Sequence, residues 1–328
     1  GAAHYVDALI AAGRRSDAEA TARQFLVDGT MTGAQLTQFA GRYSGMLRAA
    51  DFELRADRLI WEGETEAAGD VLPYLSPSAK AVAQTRIAFA TQAANAPVLL
   101  SHLAQSQQNS LGILYERMRW LRRQNRDSEA IGLLAIAPPT LPHANLWWNY
   151  RAIGARRARA YGDAKTAYAL ARDHRQADGA ALADGEWLSG WIALRFLHDP
   201  KSALPHFRTM EAHVDKPISI GRAAYWTGRT EEALGDQAAA HAAYARAAKQ
   251  IGTFYGQLAL AKLNTASRIN LPPQPSASGL DTRAFNNSEL VQIAEILSRI
   301  GLADRAGPFV RRIGELARTP DDALLAMR

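Results

Sequence analysis

Apolar residues recur at helical spacing along most of this chain, and short polar breaks carrying Asp divide it into helix-length blocks. The breaks are Arg126-Asp127-Ser128-Glu129-Ala130, Gly162-Asp163-Ala164-Lys165, His198-Asp199-Pro200-Lys201-Ser202-Ala203 and Gly235-Asp236-Gln237-Ala238. Their Asp residues, 127, 163, 199 and 236, are 36, 36 and 37 residues apart. Asp304 lies 68 beyond Asp236, two more such intervals, and Arg14-Arg15-Ser16-Asp17-Ala18 gives a similar signal early on. A helix-turn-helix unit of roughly 34 residues is the tetratricopeptide period. Each Asp is expected to accept hydrogen bonds from free amides at the start of the next helix, where its charge suits the helix dipole. Ala early in that helix permits close packing, and Tyr168, Phe207 and Tyr244, four residues after Ala164, Ala203 and Ala240, are expected to fill the groove. The pattern predicts an all-α superhelix, a solenoid of tetratricopeptide-like helix pairs whose stacking makes one continuous curved core.

The pattern breaks at Leu271-Pro272-Pro273-Gln274-Pro275-Ser276-Ala277-Ser278-Gly279, where three prolines stop any helix and the Ser/Gly tail reads as linker. This gives a repeat domain over 1–270, a linker over 271–279 and a further helical segment over 280–328. In that last segment Asn287-Ser288-Glu289 is expected to cap a helix with Leu290, Ile293, Ala294, Leu297 and Ile300 on one apolar face. Gly301 ends it, Ala303 to Leu316 reads as its partner, and Asp321-Asp322 opens a last helix barely two turns long. A natural domain is not expected to stop there, so this segment reads as truncated.

Composition narrows the classes. The chain has 328 residues, 48% apolar and 21% charged, with a net charge of +6 carried mostly by arginine, as suits a folded soluble protein. A basic balance favours polyanionic partners. The densest arginines, Arg117, Arg119, Arg122, Arg123 and Arg126, and then Arg151, Arg156, Arg157 and Arg159, are not interleaved with aromatics as on a nucleic-acid platform. They read first as solvated helix faces, and nucleic acid is not the expected partner. With no cysteine there are no disulfides or thiolate sites. No apolar run approaches a membrane span, and no secretory pattern opens the chain, so a signal peptide has been removed or never existed.

The most specific stretch runs Tyr225-Trp226-Thr227-Gly228-Arg229, a Gly235-Asp236 turn, an alanine-rich helix carrying Tyr244, then Gly252-Thr253-Phe254-Tyr255-Gly256-Gln257-Leu258-Ala259. With Trp147-Trp148-Asn149-Tyr150-Arg151 and Glu186-Trp187-Leu188-Ser189-Gly190-Trp191 before it, this stretch resembles the superhelical domain of soluble lytic murein transglycosylases. The likeness is sharpest from Trp147 to Leu263. It implies a ring- or arc-shaped helical domain of a periplasmic protein, whose signal peptide has been removed, that acts on peptidoglycan. It also implies that 280–328 begins a linker domain and that a lysozyme-like catalytic domain follows in the parent enzyme. In that family a Glu followed by Ser carries the chemistry, and no Glu here precedes a Ser. The chain is therefore expected to be a scaffold, inactive alone, with glycan strands and its own missing catalytic domain as partners.

Individual residues have plainer readings beside these. Tyr225, Trp226, Arg229, Phe254, Tyr255 and Gly256 mark the family but read as packing, with Gly256 permitting close helix approach while Phe254 and Tyr255 fill the space around it. Trp147, Trp148 and Tyr150 cannot all face one side of a helix, so one is a candidate for stacking on a sugar. The histidines show no H-E-x-x-H or other metal spacing, no nucleophile elbow or phosphate loop occurs, and no metal or cofactor is expected. The competing reading is a tetratricopeptide-like adaptor whose concave face binds a protein or peptide; the period supports it equally.

Overall fold

The computed structural model describes residues 2–138, 141–263 and 282–327, and every regular element among them is helical. The chain divides into two compact units, 1–265 and 266–328. The expected linker at 271–279 lies outside the described residues.

In the first unit helices pack on their neighbours in sequence. Ala144–Ala160 pairs with Ala164–Arg172, Gly179–Arg195 with Pro200–Ala212, and Pro217–Leu234 with Gln237–Ala248. The first members of successive pairs also touch one another, ending with Pro217–Leu234 against Phe254–Lys262. A helix pair buries its second apolar side on the next pair, as in repeat proteins.

The period has a local cause. Asp163, Asp199 and Asp236 are helix N-caps, and their carboxylates accept the backbone N–H of Thr166 at 2.9 Å, Ser202 at 3.1 Å and Ala239 at 2.9 Å. Asp127 and Asp17 depart from the expectation. The caps there are Arg126 and Arg14, and the acids sit inside the helices. Asp127 instead pairs with Arg122 and, at 3.3 Å, with Arg157. Asp17 pairs with Arg14 at 2.7 Å. Counted from the cap itself, the fourth residue is Ala18, Ala68, Ala130, Ala167, Ala203 or Ala240, none more than 1% exposed. That position meets the partner helix at closest range, and a single methyl fits it.

The large residues follow the same register. Phe207 and Tyr244, eight after their caps, lie against Gly190 and Gly228 and are buried. Gly154 accepts Leu134 and Leu170 in the preceding repeat. Tyr168 is only the fifth residue after Asp163, so it stands at the rim of the core and not in the groove expected for it; position 171 there is Ala.

In the second unit Glu289–Arg299 packs on Gly307–Leu316, followed by Pro320–Ala326. Ser288 is the N-cap and Gly301, at φ +77°, ends the first helix. Val291, Ala306 and Leu325 are buried, whereas Leu290, Ile293, Ala294 and Leu297 are half-buried and Ile300 is exposed. Asp304 sits in a 3-10 turn, Ala303–Arg305, and caps no helix. Thr319 and Asp322 form a reciprocal capping box at the start of the last helix.

Candidate functional site

Trp147 and Trp148, on Ala144–Ala160, are 1% and 4% exposed. The Trp147 ring meets Tyr115 edge-on at 5.0 Å, and Trp148 meets His174 at 5.7 Å. Their faces are taken up by the core, so neither offers a sugar a stacking surface in this conformation. Tyr150 is half-buried, packed edge-on against Tyr115. The twist of the helix resolves the sequence ambiguity: both Trp residues turn inward, and Asn149 between them and Tyr150 takes the exposed side.

Tyr225 and Trp226 are buried. Trp226 stacks on Phe207 with centroids 6.0 Å apart, and Tyr225 lies between Tyr244 and Tyr255. Arg229 reaches the Tyr225 hydroxyl at 3.4 Å and Glu232 at 3.2 Å. Phe254, by contrast, is 69% exposed as the first residue of its helix, and meets only the Tyr255 ring edge-on at 5.2 Å among the aromatic rings described. Gly256 is buried; a β-carbon on it would first meet the Gln250 carbonyl of the preceding turn, and helix Pro217–Leu234 also comes close, a β-carbon on Gly221 standing 3.7 Å from the Gly256 nitrogen. Thr253 caps that helix by accepting the Gly256 N–H at 3.1 Å.

Sequence patterns did not reveal two polar arrangements. In the first, Glu186 lies between two imidazoles: His174 Nε2 is 3.3 Å from one oxygen and His206 Nδ1 is 2.5 Å from the other. The Gln176 N–H donates to His174 Nδ1 at 3.0 Å, which places the His174 proton on Nε2, facing the carboxylate. His206 Nε2 in turn meets the Tyr168 hydroxyl at 3.1 Å. Burial pushes the Glu186 carboxyl up, but the hydrogen bonds from His174 and His206 outweigh it and hold its pKa at about 2. Such a fixed carboxylate orients the imidazoles and ties Gly179–Arg195 to Pro200–Ala212. Among the described residues no group of acids and histidines is placed to hold a metal ion.

The second arrangement is Glu116, whose side chain is fully buried and 2.9 Å from Arg119. Burial raises its pKa, opposed by the nearby charges of Arg119 and Arg86. The Glu116 side chain is sealed from solvent, so it does not meet a substrate in this conformation.

Half-buried aromatics border the core. Trp187 and Trp191, one turn apart on Gly179–Arg195, stack with centroids 5.5 Å apart and planes 15° from parallel. Arg222 lies 5.1 Å from the Trp187 ring centre, and Arg159 lies 5.9 Å from that of Trp191. The four-residue Trp spacing was visible in the sequence; the arginines come from helices far away in it.

Comparison places this fold beside a known one. No family model matches the chain, and no curated protein matches it either. Among solved structures it resembles an inactive mutant of the lytic transglycosylase Slt from Pseudomonas aeruginosa, with a TM-score of 0.57 at 18% sequence identity. The match covers 98% of this chain and 51% of that one, so the chain spans about half the length of its structural neighbour. The fold is lytic-transglycosylase-like over nearly its whole described length.

Proposed function

We propose that the chain is the non-catalytic helical scaffold of a periplasmic peptidoglycan lytic transglycosylase. Its helix pairs would stack into a ring- or arc-shaped superhelix that positions glycan strands and the parent's catalytic domain. The parent would cleave the MurNAc-GlcNAc bond and close an anhydro ring. The observation that carries this reading is the fold match over 98% of the chain to a lytic transglycosylase. Two further features support it: the Tyr225 to Ala259 elements, and a sequence in which no Glu is followed by Ser. Among the described residues no helix is long and apolar enough to cross a membrane.

Co-sedimentation of the purified chain with isolated sacculi, with chromatography of the supernatant, tests the reading. Binding without release of anhydro-muropeptides is expected. Release of such products would show an active enzyme, and failure to bind, with capture of one stoichiometric protein instead, would favour an adaptor.

A further inference from the structure

Three adjacent helices, Ala144–Ala160, Gly179–Arg195 and Pro217–Leu234, contribute Arg159, the Trp187–Trp191 pair and Arg222 in turn. Together they place a guanidinium group over each member of a stacked indole pair, Arg222 by Trp187 and Arg159 by Trp191. Arg159 also lies 5.3 Å from the exposed ring of Phe196. Stacking on aromatic faces fixes the plane of a guanidinium while leaving its N–H edge free for a bidentate acceptor.

Among the described residues that edge meets no carboxylate. Among the described residues neither Arg159 nor Arg222 forms an ion pair, and the Nε of each is buried without a hydrogen-bond partner. Their neighbours differ: Arg156 pairs with Asp184 at 3.0 Å and Arg157 with Asp127 at 3.3 Å. Asp184, whose charge Arg222 feels, is therefore already engaged. Burial lowers the Arg222 pKa, with only Tyr255 and Asp184 opposing it. A cation held partly out of water without a counter-charge is costly unless an anion arrives. Each indole already has the other indole and an arginine as neighbours, so the feature suits charge recognition better than sugar stacking.

We propose that Arg159 and Arg222, held on the Trp187–Trp191 stack, bind carboxylates carried by the stem peptides of peptidoglycan strands. The inference rests on the scaffold reading above and assigns that function a site. Two guanidiniums from alternate helix pairs suit a ligand that repeats its anionic groups, and each bidentate pair is a charge-assisted interaction stronger than a neutral hydrogen bond.

The test uses the full chain with native sacculi and with sacculi whose carboxylates have been amidated by carbodiimide coupling. The unsubstituted chain is expected to bind native sacculi on the order of tenfold more tightly than amidated ones, the scale of one good charge-assisted contact. R159Q/R222Q is expected to lose that preference and bind both at the weaker level, with unchanged helical circular dichroism. If removing the arginines unfolds the chain, R222Q alone is read the same way. A double variant that keeps the full preference for native sacculi overturns the site while leaving the scaffold reading standing. Failure of the unsubstituted chain to bind either preparation overturns both, as does binding to single-stranded DNA in place of sacculi at the same salt.

Discussion

The ring of Tyr244 lies against the α-carbon of Gly228, so close that a β-carbon there would stand 2.7 Å from the aromatic edge. Phe207 meets Gly190 in the same way one repeat earlier, also at 2.7 Å. Both rings are buried and can give little ground. Gly228→Ala and Gly190→Ala are expected to destabilise the chain by about 1–3 kcal/mol each through overpacking. Gly132, on an exposed part of Asp127–Ile136, has nothing within 4 Å of its would-be β-carbon. Gly132→Ala is expected to stabilise by roughly 0.5–1 kcal/mol, since Ala restricts the unfolded chain and favours helix. Urea midpoints of the three variants check this, and equal effects at all three positions would sink it.

Three turns of the period offer a second series. The residues just before the caps, Gly162, His198 and Gly235, adopt left-handed backbone at φ +87°, +54° and +86°. Glycine does so freely, whereas histidine carries a β-carbon penalty of about 1 kcal/mol. His198→Gly is expected to raise the thermal midpoint, and Gly162→Ala and Gly235→Ala to lower it. A His198→Gly variant less stable than its parent would show that the imidazole contributes more than the backbone strain costs.

These examples show what was legible in the sequence. The helical class and the spacing of Asp163, Asp199 and Asp236 follow from local chemistry, because a cap acts within one turn of its own position. Where Arg126 or Arg14 holds the cap position, with no side-chain cap bond, the Asp one or three residues further on misled, since side-chain pairing and capping use the same residue type. Tyr168 was assigned to the groove by its spacing from Ala164, but the register runs from the cap. The burial of Trp147 and Trp148 depends on which face the next helix pair covers, a non-local fact. The Glu186–His174–His206 group and the Arg159–Trp191–Trp187–Arg222 stack gather residues tens of positions apart, and no single-chain spacing announces them.

Glu186 gives a prediction in pH. Its folded pKa of about 2 lies below the ordinary 4.5, so it contributes stability above the unfolded value that is lost as pH falls from about 4.5 towards 2. With the side chain mostly buried, the contribution at neutral pH is on the order of 3 kcal/mol. Glu186→Gln is expected to be less stable than its parent at pH 7, with the gap closing as pH falls through that window. Thermal midpoints between pH 2 and 7 read the gap directly. A gap that stays constant across the range would mean the carboxylate's charge is not what stabilises the group.

The segment most distinctive in sequence divides sharply in structure, and the division can be measured. A β-carbon on Gly256 would stand 2.1 Å from the Gln250 carbonyl oxygen, and that oxygen belongs to backbone held by the Thr253 N–H at 2.8 Å and the Thr253 hydroxyl at 2.8 Å. The turn cannot yield without breaking the cap that begins Phe254–Lys262. Gly256→Ala is therefore expected to cost about 2 kcal/mol or more, by overpacking plus loss of the Thr253 cap. Phe254 beside it is 69% exposed, so Phe254→Ser removes little buried area and is expected to change stability by less than about 0.5 kcal/mol. Hydrogen exchange at the amides of Gly256 and Gln257 separates the two, since the Gly256 N–H is the capped donor and Gln257 N bonds the Thr253 carbonyl at 3.1 Å. Faster exchange at both amides in Gly256→Ala, and unchanged exchange in Phe254→Ser, is the expected pair of results. If the Phe254 variant loosens those amides as well, the exposed ring is holding the turn and the division of the segment into packing and surface residues fails.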